Sequence, residues 1–194
     1  MTRAALAGTY DGGQMEIAAG LELGADGQFR YALSYGALDE EARGRWDVDG
    51  DRVMLTSDPV TDPAFVLLAA RPLEARVVKL ALDLPAGIER QYFDARIGLS
   101  DGRAIERQFA EDGLEVALPP GRQAVSVTLM LKVYGLESPA FPLPRADGVE
   151  ARLRFEPNDL GKVRFERQAL TIEEGALVMA RHGRRIVFRR QAQR

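Results

Sequence analysis

Short runs in which apolar and polar residues alternate dominate residues 8–57. Since the side chains of a β-strand point alternately to opposite faces, each run predicts a strand with one apolar face. The alternating apolar positions are Met15, Ile17, Ala19, Leu21 and Leu23, then Phe29, Tyr31, Leu33 and Tyr35. The glycine-rich stretch 24–27 between them predicts a turn, because glycine enters positive φ at low cost. A second hairpin is predicted around a turn at 49–51, with Trp46 before it and Val53 after it.

The middle of the chain, residues 59–148, shows the same alternation in shorter runs. Its alternating apolar positions are Val78, Leu80, Leu82 and Leu84, then Phe93, Ala95, Ile97 and Leu99, and finally Val125, Val127, Leu129, Leu131 and Val133. Turns are predicted at 101–102 and 112–113, where Asp precedes Gly, and around 119–121. About six strands with turns at this spacing are typical of a small antiparallel sandwich.

The last segment, residues 149–194, shows the same alternation of apolar and polar residues as the first. Its alternating apolar positions are Val149, Ala151, Leu153 and Phe155, then Leu177 and Met179, which face Ile186 and Phe188 across a turn at 182–183. We count five candidate strands before residue 59 and about four after residue 148, which is enough to close one barrel. Closure removes the exposed edges that an open meander keeps. No helix is predicted, since the helix-favouring stretch 38–42 allows one turn only.

Proline marks two boundaries in this pattern. Residues 1–58 contain no proline, whereas nine of the ten prolines fall within residues 59–148. Proline is poorly tolerated inside paired strands and collects at edges, turns and linkers. The stretches 58–63 and 138–144 are therefore interpreted as connectors. We predict one barrel formed by residues 1–58 and 149–194, with residues 59–148 inserted into it as a β-sandwich.

Composition and charge limit the classes of protein. The chain of 194 residues is 46% hydrophobic and 28% charged, which is ordinary for a globular protein. Its net charge of −3 gives no general attraction for nucleic acid, and no nucleic-acid partner is expected. Residues 1–58 carry 5 basic and 11 acidic side chains, and residues 149–194 carry 11 and 6, which agrees with the two ends being neighbours. No run approaches the roughly 18 apolar residues of a spanning helix, so no transmembrane segment is predicted.

Few residues are candidates for catalytic or metal chemistry. The chain has no cysteine, which excludes disulfides, thiolate metal sites and cysteine catalysis. The single histidine, His182, precedes Gly183 between two predicted strands, and this favours an exposed turn residue over a general base or metal ligand. The acidic stretch 47–58 has its glycine in the wrong place for a calcium loop, so we interpret it as a solvated hairpin turn. No cofactor and no metal site are predicted.

Several short stretches resemble known families. The outer segments resemble the lipocalin-like small barrels of bacteria, a loose group that includes META domains and the N-terminal domain of the copper-resistance and envelope-stress lipoprotein. The stretches that carry this resemblance are 8–10 (GTY), 21–23 (LEL), 26–29 (DGQF), 44–46 (GRW), 50–55 (GDRVML) and 183–190. The middle segment resembles the prealbumin-like or carboxypeptidase-regulatory sandwich at 101–103 (DGR), 111–113 (EDG) and 118–121 (LPPG).

These resemblances imply an all-β fold, an antiparallel lipocalin-like barrel with an inserted sandwich, but no catalytic residue. They also imply a periplasmic or secreted protein of the bacterial cell envelope. The residues themselves identify no compartment and are equally compatible with the cytoplasm.

Two features are candidate binding sites. Aromatic walls bind apolar ligands or sugars, and four aromatic residues are candidates for a ligand site in or at the mouth of the barrel: Tyr10, Tyr31, Tyr35 and Trp46. A filled core is the favoured alternative for these residues. The stretch 35–43 reads as a long acidic loop, and its candidate partner-binding residues are Asp39, Glu40, Glu41 and Arg43. A solvated loop without contacts is the favoured alternative there.

The expected function is a non-enzymatic binding or protein-interaction module, which predicts an exposed apolar patch or a shared sheet edge. One alternative is a carrier of a small apolar or sugar-like ligand, which predicts an open cavity beside Tyr31, Tyr35 and Trp46. The other is a hydrolase that acts through two carboxylates, which predicts a cleft with a paired, partly desolvated Asp or Glu. The partner or ligand itself is not identified by the sequence.

Overall fold

The structure, a computed structural model, describes residues 2–192 and is all-β, as the sequence predicts. A short helix comes first, α1 (Arg3–Leu6), where the pattern predicts none. Five strands follow, β1 (Gly8–Asp11), β2 (Ile17–Leu23), β3 (Gln28–Tyr35), β4 (Leu38–Asp49) and β5 (Arg52–Ser57). Each of these strands pairs with the next in antiparallel orientation. The alternation begins one step later than expected, since Met15 lies in the turn before β2 and is 85% exposed.

The stretch 35–43 is not a loop, and this prediction was wrong. Tyr35 pairs with Leu38 across a two-residue turn, and Gly36 enters that turn at φ 59°. Residues 38–43 are the first half of β4, where inward and outward positions alternate. The outward positions are charged, and after Leu38 the inward positions are Glu40 and Ala42, so the sequence does not show the alternation of a half-buried strand.

The chain then forms nine strands before it returns to the barrel. They are β6 (Ala64–Leu73), β7 (Val77–Asp83), β8 (Phe93–Leu99), β9 (Ala104–Gln108), β10 (Leu114–Ala117), β11 (Ala124–Leu131), β12 (Leu136–Glu137), β13 (Phe141–Pro142) and β14 (Gly148–Glu156). Two single 3-10 turns, Arg90–Tyr92 and Lys132–Tyr134, lie among them. One sheet has the order β10-β7-β14-β6, and β14 runs parallel to β7 in it. The other has the order β12-β11-β8-β9, with β13 also paired to β11.

One apolar core holds the two sheets together as a sandwich. Its largest buried side chains include Phe93 on β8 and Phe155 on β14, whose ring centroids are 5.1 Å apart. The predicted alternation of β11 fails at its start, because the register shifts between Ala124 and Ser126. Ala124 therefore occupies the buried position that the pattern assigns to Val125. A local bulge of this kind changes the face of every residue before it.

Three further strands complete the barrel, β15 (Gln168–Glu173), β16 (Ala176–Arg181) and β17 (Arg184–Arg190). Strand β15 pairs with β5 and β17 pairs with β1, which closes eight strands in the order β1-β17-β16-β15-β5-β4-β3-β2. The predicted hairpin at 182–183 is confirmed, with Leu177 opposite Phe188 and Met179 opposite Ile186. Both turn residues have positive φ, 50° at His182 and 68° at Gly183, as the tightest hairpin turns require.

The chain divides into two compact units. One contains the residues up to Thr61 together with those from Gly161 onward, and the other is Asp62–Leu160. Strand β14 belongs to the second unit, whereas its sequence pattern predicted residues 149–156 to be part of the barrel. The alternation in this strand correctly predicted a half-buried strand. It carried no information about the partner strand, because that partner is distant in sequence.

The two ends of the barrel are closed differently. We call the end with the turns at 24–27, 50–51 and 174–175 the lower end, and the end with the turns at 12–16, 36–37 and 182–183 the upper end. At the lower end, α1 places Leu6 in the core, and the Arg190 guanidinium donates to the carbonyls of Ala5 and Ala7. The upper end contains the polar residues described next.

Candidate functional site

Inward-facing positions near the upper end hold a cluster of polar side chains. Glu40 points inward from β4 in phase with Ala42 and Trp46, and Arg181 points inward from β16 in phase with Leu177 and Met179. These two strands are three places apart around the barrel, so the side chains meet across its interior. Strand residues at i and i+2 share a face, so the sequence places a charged residue on the inward face of each strand. This pattern could have identified Glu40 and Arg181 as buried charges.

Glu40 is the centre of this cluster, and its side chain is 7% exposed. The Arg181 guanidinium donates two hydrogen bonds to it, from Nε to Oε2 at 3.0 Å and from Nη2 to Oε1 at 2.7 Å. His182 Nε2 lies 2.9 Å from Oε1, and the Tyr31 hydroxyl donates to Oε2 over 3.4 Å. A bidentate arginine–carboxylate ion pair of this kind is among the stronger charge-assisted contacts. The carboxylate is therefore fully occupied by partners from the protein itself.

The electrostatics of the cluster keep the tyrosine neutral and the arginine charged. Burial raises the pKa of the Tyr31 phenol, the negative charge of Glu40 raises it further, and the Arg181 charge lowers it in part. Burial on its own lowers the pKa of Arg181, but its hydrogen bonds and attraction to Glu40 outweigh this, so the pKa is raised. The arrangement acts as a fixed internal ion pair. Within residues 2–192, Glu40 is the single buried carboxylate, and no second acid is desolvated beside it.

Replacing Tyr31 by Phe should make the stability of the barrel less sensitive to alkaline pH. The unfolded phenol ionises near pH 10.0, whereas the folded one keeps its proton to higher pH. The contribution of the neutral Tyr31 phenol to the free energy of unfolding is thus complete below pH 10.0, and it is lost as the pH rises through the pKa of the folded state. At neutral pH the change should be within about 1 kcal/mol, because only one long hydrogen bond is lost.

The test is the free energy of unfolding in urea across a pH series, followed by the fluorescence of Trp46, the one tryptophan in the chain. Burial also raises the pKa of Tyr10, with Arg190 opposing it, so some alkaline sensitivity should remain in the Tyr31→Phe variant. Tyr92→Phe, which removes an exposed phenol, is the matched control. Parallel pH curves for wild type and Tyr31→Phe would contradict the assignment.

The segment that returns from the sandwich covers the cluster. Its backbone joins β4, since Glu41 N–H donates to the Gly161 carbonyl and Val163 N–H donates to the Glu41 carbonyl, each at 2.8 Å. Phe165 is then held by Ser57, whose Oγ accepts from its N–H at 2.9 Å. The Phe165 ring enters the barrel interior, 5.2 Å from the Tyr31 ring and 5.7 Å from the Arg181 guanidinium carbon.

The four aromatic candidates do not form the wall of one open mouth. Tyr10 and Trp46 are buried toward the lower end, where the Tyr10 hydroxyl donates to the Leu6 carbonyl at 2.6 Å and Trp46 Nε1 donates to the Gly24 carbonyl at 2.9 Å. Tyr31 is buried in the upper half. Tyr35 is half-buried at the upper rim, and its hydroxyl accepts from Arg184 Nη2 at 3.1 Å. Three of the four rings are thus part of a packed core.

The four charged candidates point to opposite sides of the barrel wall. Glu40 points inward, whereas Asp39, Glu41 and Arg43 point outward into solvent. Arg43 Nε lies 3.5 Å from Asp58 Oδ2, in a contact that is largely exposed. The turn at 50–51 forms a hairpin, and Arg167 pairs with Asp49 at 3.1 Å and with Asp47 at 3.6 Å. Among residues 2–192, no group of three or more acidic or histidine side chains is placed to hold a metal ion.

A groove of about 590 Å³ lies on the outer surface of the barrel. Its floor is formed by small residues on neighbouring strands, Gly20 on β2 and Ala32 on β3, which are opposite each other in register. A Cβ atom added at Gly20 would meet no heavy atom within 4 Å, so this floor is open. The charged residues that line the groove are Glu22, Arg30, Glu41, Arg43, Asp58 and Lys162.

Large apolar side chains do not gather at this groove or elsewhere on the described surface. The exposed ones among residues 2–192 are Met15, Leu68 and Tyr92, which lie in the turn before β2, in β6 and in the first 3-10 turn respectively. No helix in this part of the chain has the length and apolar character needed to cross a membrane. Comparison of the chain with protein-family models, with curated proteins and with solved structures found no match.

Proposed function

We propose that the protein is a non-enzymatic binding module that holds an extended segment of a partner protein in the groove on the outer surface of its barrel. The observation that carries the proposal is the contrast between the two faces of β2, β3 and β4. Their inward faces are packed around Tyr31 and Trp46, whereas their outward faces leave an open depression at Gly20 and Ala32.

The lining of the groove favours a peptide over other ligands. Three acidic and three basic side chains line the groove, and the ring of its one aromatic lining residue, Tyr31, is buried on the inward face of β3. The groove therefore offers charge and hydrogen bonds rather than a stacking surface. An extended peptide can lie flat against a sheet of small residues and match such mixed charges along its length. Pro59, Val60 and Val163 add apolar surface beside these charges, which suits the mixed side chains of a peptide, whereas a sugar would find no exposed aromatic platform there.

The two alternative functions have less support. A carrier with its site in the barrel mouth needs an open interior, and the packing of Phe165 against Phe29 and Tyr31 fills that space. A hydrolase acting through two carboxylates needs a second desolvated acid beside Glu40, and the described residues place Arg181 and His182 there instead. Kinship with the lipocalin-like bacterial barrels, and with it a place in the cell envelope, remains part of the proposal and is supported by the closed eight-stranded barrel alone.

Filling the groove tests the proposal. Random peptides displayed on phage are selected for binding to the full chain. The selected peptides are then synthesised, and their affinity is measured by fluorescence polarisation. Gly20→Phe places a ring on the open floor and should weaken binding by about tenfold or more, since it removes the space that the peptide occupies. Ala180→Phe adds the same ring at an exposed position of β16 outside the groove and should leave binding unchanged.

Circular dichroism of both variants checks that the fold is retained. Selected peptides that bind Gly20→Phe as tightly as wild type, or a selection that yields no binder, would overturn the proposal.

A further inference from the structure

Two arginines face each other directly in the groove. Arg30 on β3 and Arg43 on β4 are paired in register, and both point outward and line the groove. Side chains directly opposite on antiparallel strands have their Cβ atoms about 5 Å apart, and like charges at such positions repel. This pair therefore opposes the strand pairing that it is part of, unless an anion lies between the two guanidinium groups.

The neighbouring carboxylates leave most of the guanidinium hydrogen-bond donors unused. Glu22 is opposite Arg30 on the far side from Arg43, yet among residues 2–192 Arg30 makes no hydrogen bond or ion pair. Arg43 has one contact, from Nε to Asp58, at 3.5 Å between two exposed groups. Each guanidinium offers five N–H donors in a planar fork. Contacts within the protein thus do not saturate the pair.

Space for a ligand lies directly beside the pair. Ala32 is two residues beyond Arg30 on the same face of β3, and it is opposite Gly20 on β2 and Glu41 on β4. The open space therefore lies over Gly20 and Ala32, with Glu41 at its border. A group that rests on this open floor comes within reach of both guanidinium groups, which match the two oxygens of a carboxylate or phosphate.

We propose that Arg30 and Arg43 form an oxyanion site at one side of the groove floor, which binds a carboxylate or phosphate group of the ligand. This inference rests on the proposed function, because it assigns the acidic character of the segment that binds in the groove.

The test uses the full chain and simple anions. Sodium phosphate and sodium acetate are titrated separately at constant ionic strength, with sodium chloride as the blank, and backbone amide shifts are followed by NMR. Saturable shifts should be confined to the groove residues on β2, β3 and β4. Arg30→Gln and Arg43→Gln should each weaken the affinity by about tenfold, because a charge-assisted contact is lost.

Arg45→Gln is the matched control. Arg45 is the next outward residue of β4, also exposed, but its neighbours in register are the uncharged Gln28 and Thr56. Its loss should change the affinity by no more than about twofold, as expected for an isolated surface charge. Saturable binding of phosphate without saturable binding of acetate would assign a phosphorylated group to this site, and saturable binding of acetate would show that a carboxylate is sufficient.

Two results would overturn the oxyanion site: shifts that do not saturate with either anion, or an Arg45→Gln variant that loses as much affinity as Arg43→Gln. Selected peptides that still depend on Gly20 would then leave the proposed function standing. Conversely, anion binding that requires Arg30 and Arg43, without any groove-dependent peptide, would support this site and count against the proposed function.

Discussion

Replacing Glu40 by Ala should destabilise the barrel by about 3 kcal/mol. The substitution removes both hydrogen bonds of Arg181 and the contact with His182, and it leaves the guanidinium in the barrel interior without its counter-charge. Losing one partner of a buried ion pair costs about 3–5 kcal/mol, and the lower figure applies because the Arg181 side chain is 24% exposed. Urea unfolding followed by Trp46 fluorescence measures the change.

Two further variants separate this effect from a general loss of charge. Asp39→Asn changes the neighbouring acid, which points outward from the same strand, and should leave the free energy of unfolding within about 0.5 kcal/mol of wild type. The double variant Glu40→Ala with Arg181→Ala should recover part of the loss, since no unpaired charge then remains in the barrel. If Glu40→Ala were as mild as Asp39→Asn, the ion pair would not hold the upper end together.

The alternation of apolar residues predicted most of the barrel because it reports directly on burial. Leu21 and Leu23, Phe29 and Leu33, and Val53 and Leu55 are all buried on one face of their strands. The glycine turns at 24–27 and 182–183 also lie where the pattern placed them, since only a few residue types enter positive φ. These signals are local, and local signals survive in a single sequence.

The failures have a common physical origin in contacts between distant residues. Strand β14 was assigned to the barrel because its own pattern shows which face is buried but not which strand it joins. The first half of β4 was taken for a loop because the inward positions after Leu38 are Glu40, Ala42 and Gly44, which are not the large apolar residues of an ordinary strand. The inward position of Glu40 is explained by its ion pair with Arg181, which lies 141 residues later in the chain.

The candidate sites were predictable to different degrees. Pattern alone placed Tyr31 and Trp46 inside the barrel, but it left open whether they surround a cavity or a filled core. The groove was not predicted, because neither Gly20 nor Ala32 indicates a binding surface as a single residue. Together they form an open floor only because they are in register on adjacent strands. The opposition of Arg30 and Arg43 depends on the same register, which a one-residue shift would destroy.

The returning segment 161–165 both fills the barrel interior and borders the groove on the outer surface. Strand β5 ends at Ser57, whereas the partner strand β4 continues upward to Leu38, so half of β4 lacks a neighbour on that side. The returning segment 161–165 takes this place through its hydrogen bonds to Glu41 and Ser57. It also supplies Lys162 to the wall of the groove and Phe165 to the core.

Replacing Phe165 by Ala should therefore have the largest effect on the barrel, about 3–5 kcal/mol. The ring is 2% exposed and packs against Phe29 and Tyr31, and the Arg181 guanidinium lies over it. Its removal leaves a cavity beside an ion pair whose strength depends on the exclusion of water. Urea unfolding followed by Trp46 fluorescence again gives the free energy, and the change should appear at every pH at which wild type is folded.

Graded substitutions decide whether the ring itself is responsible. Phe165→Leu keeps much of the volume and should lose less than half as much stability as Phe165→Ala, whereas Glu166→Ala, at the exposed neighbouring position, should change little. An apolar cavity of this origin binds benzene, so benzene should raise the melting temperature of Phe165→Ala but not of wild type. If Phe165→Ala were no less stable than Glu166→Ala, segment 161–165 would not close the barrel, and the interior would again be available to a ligand.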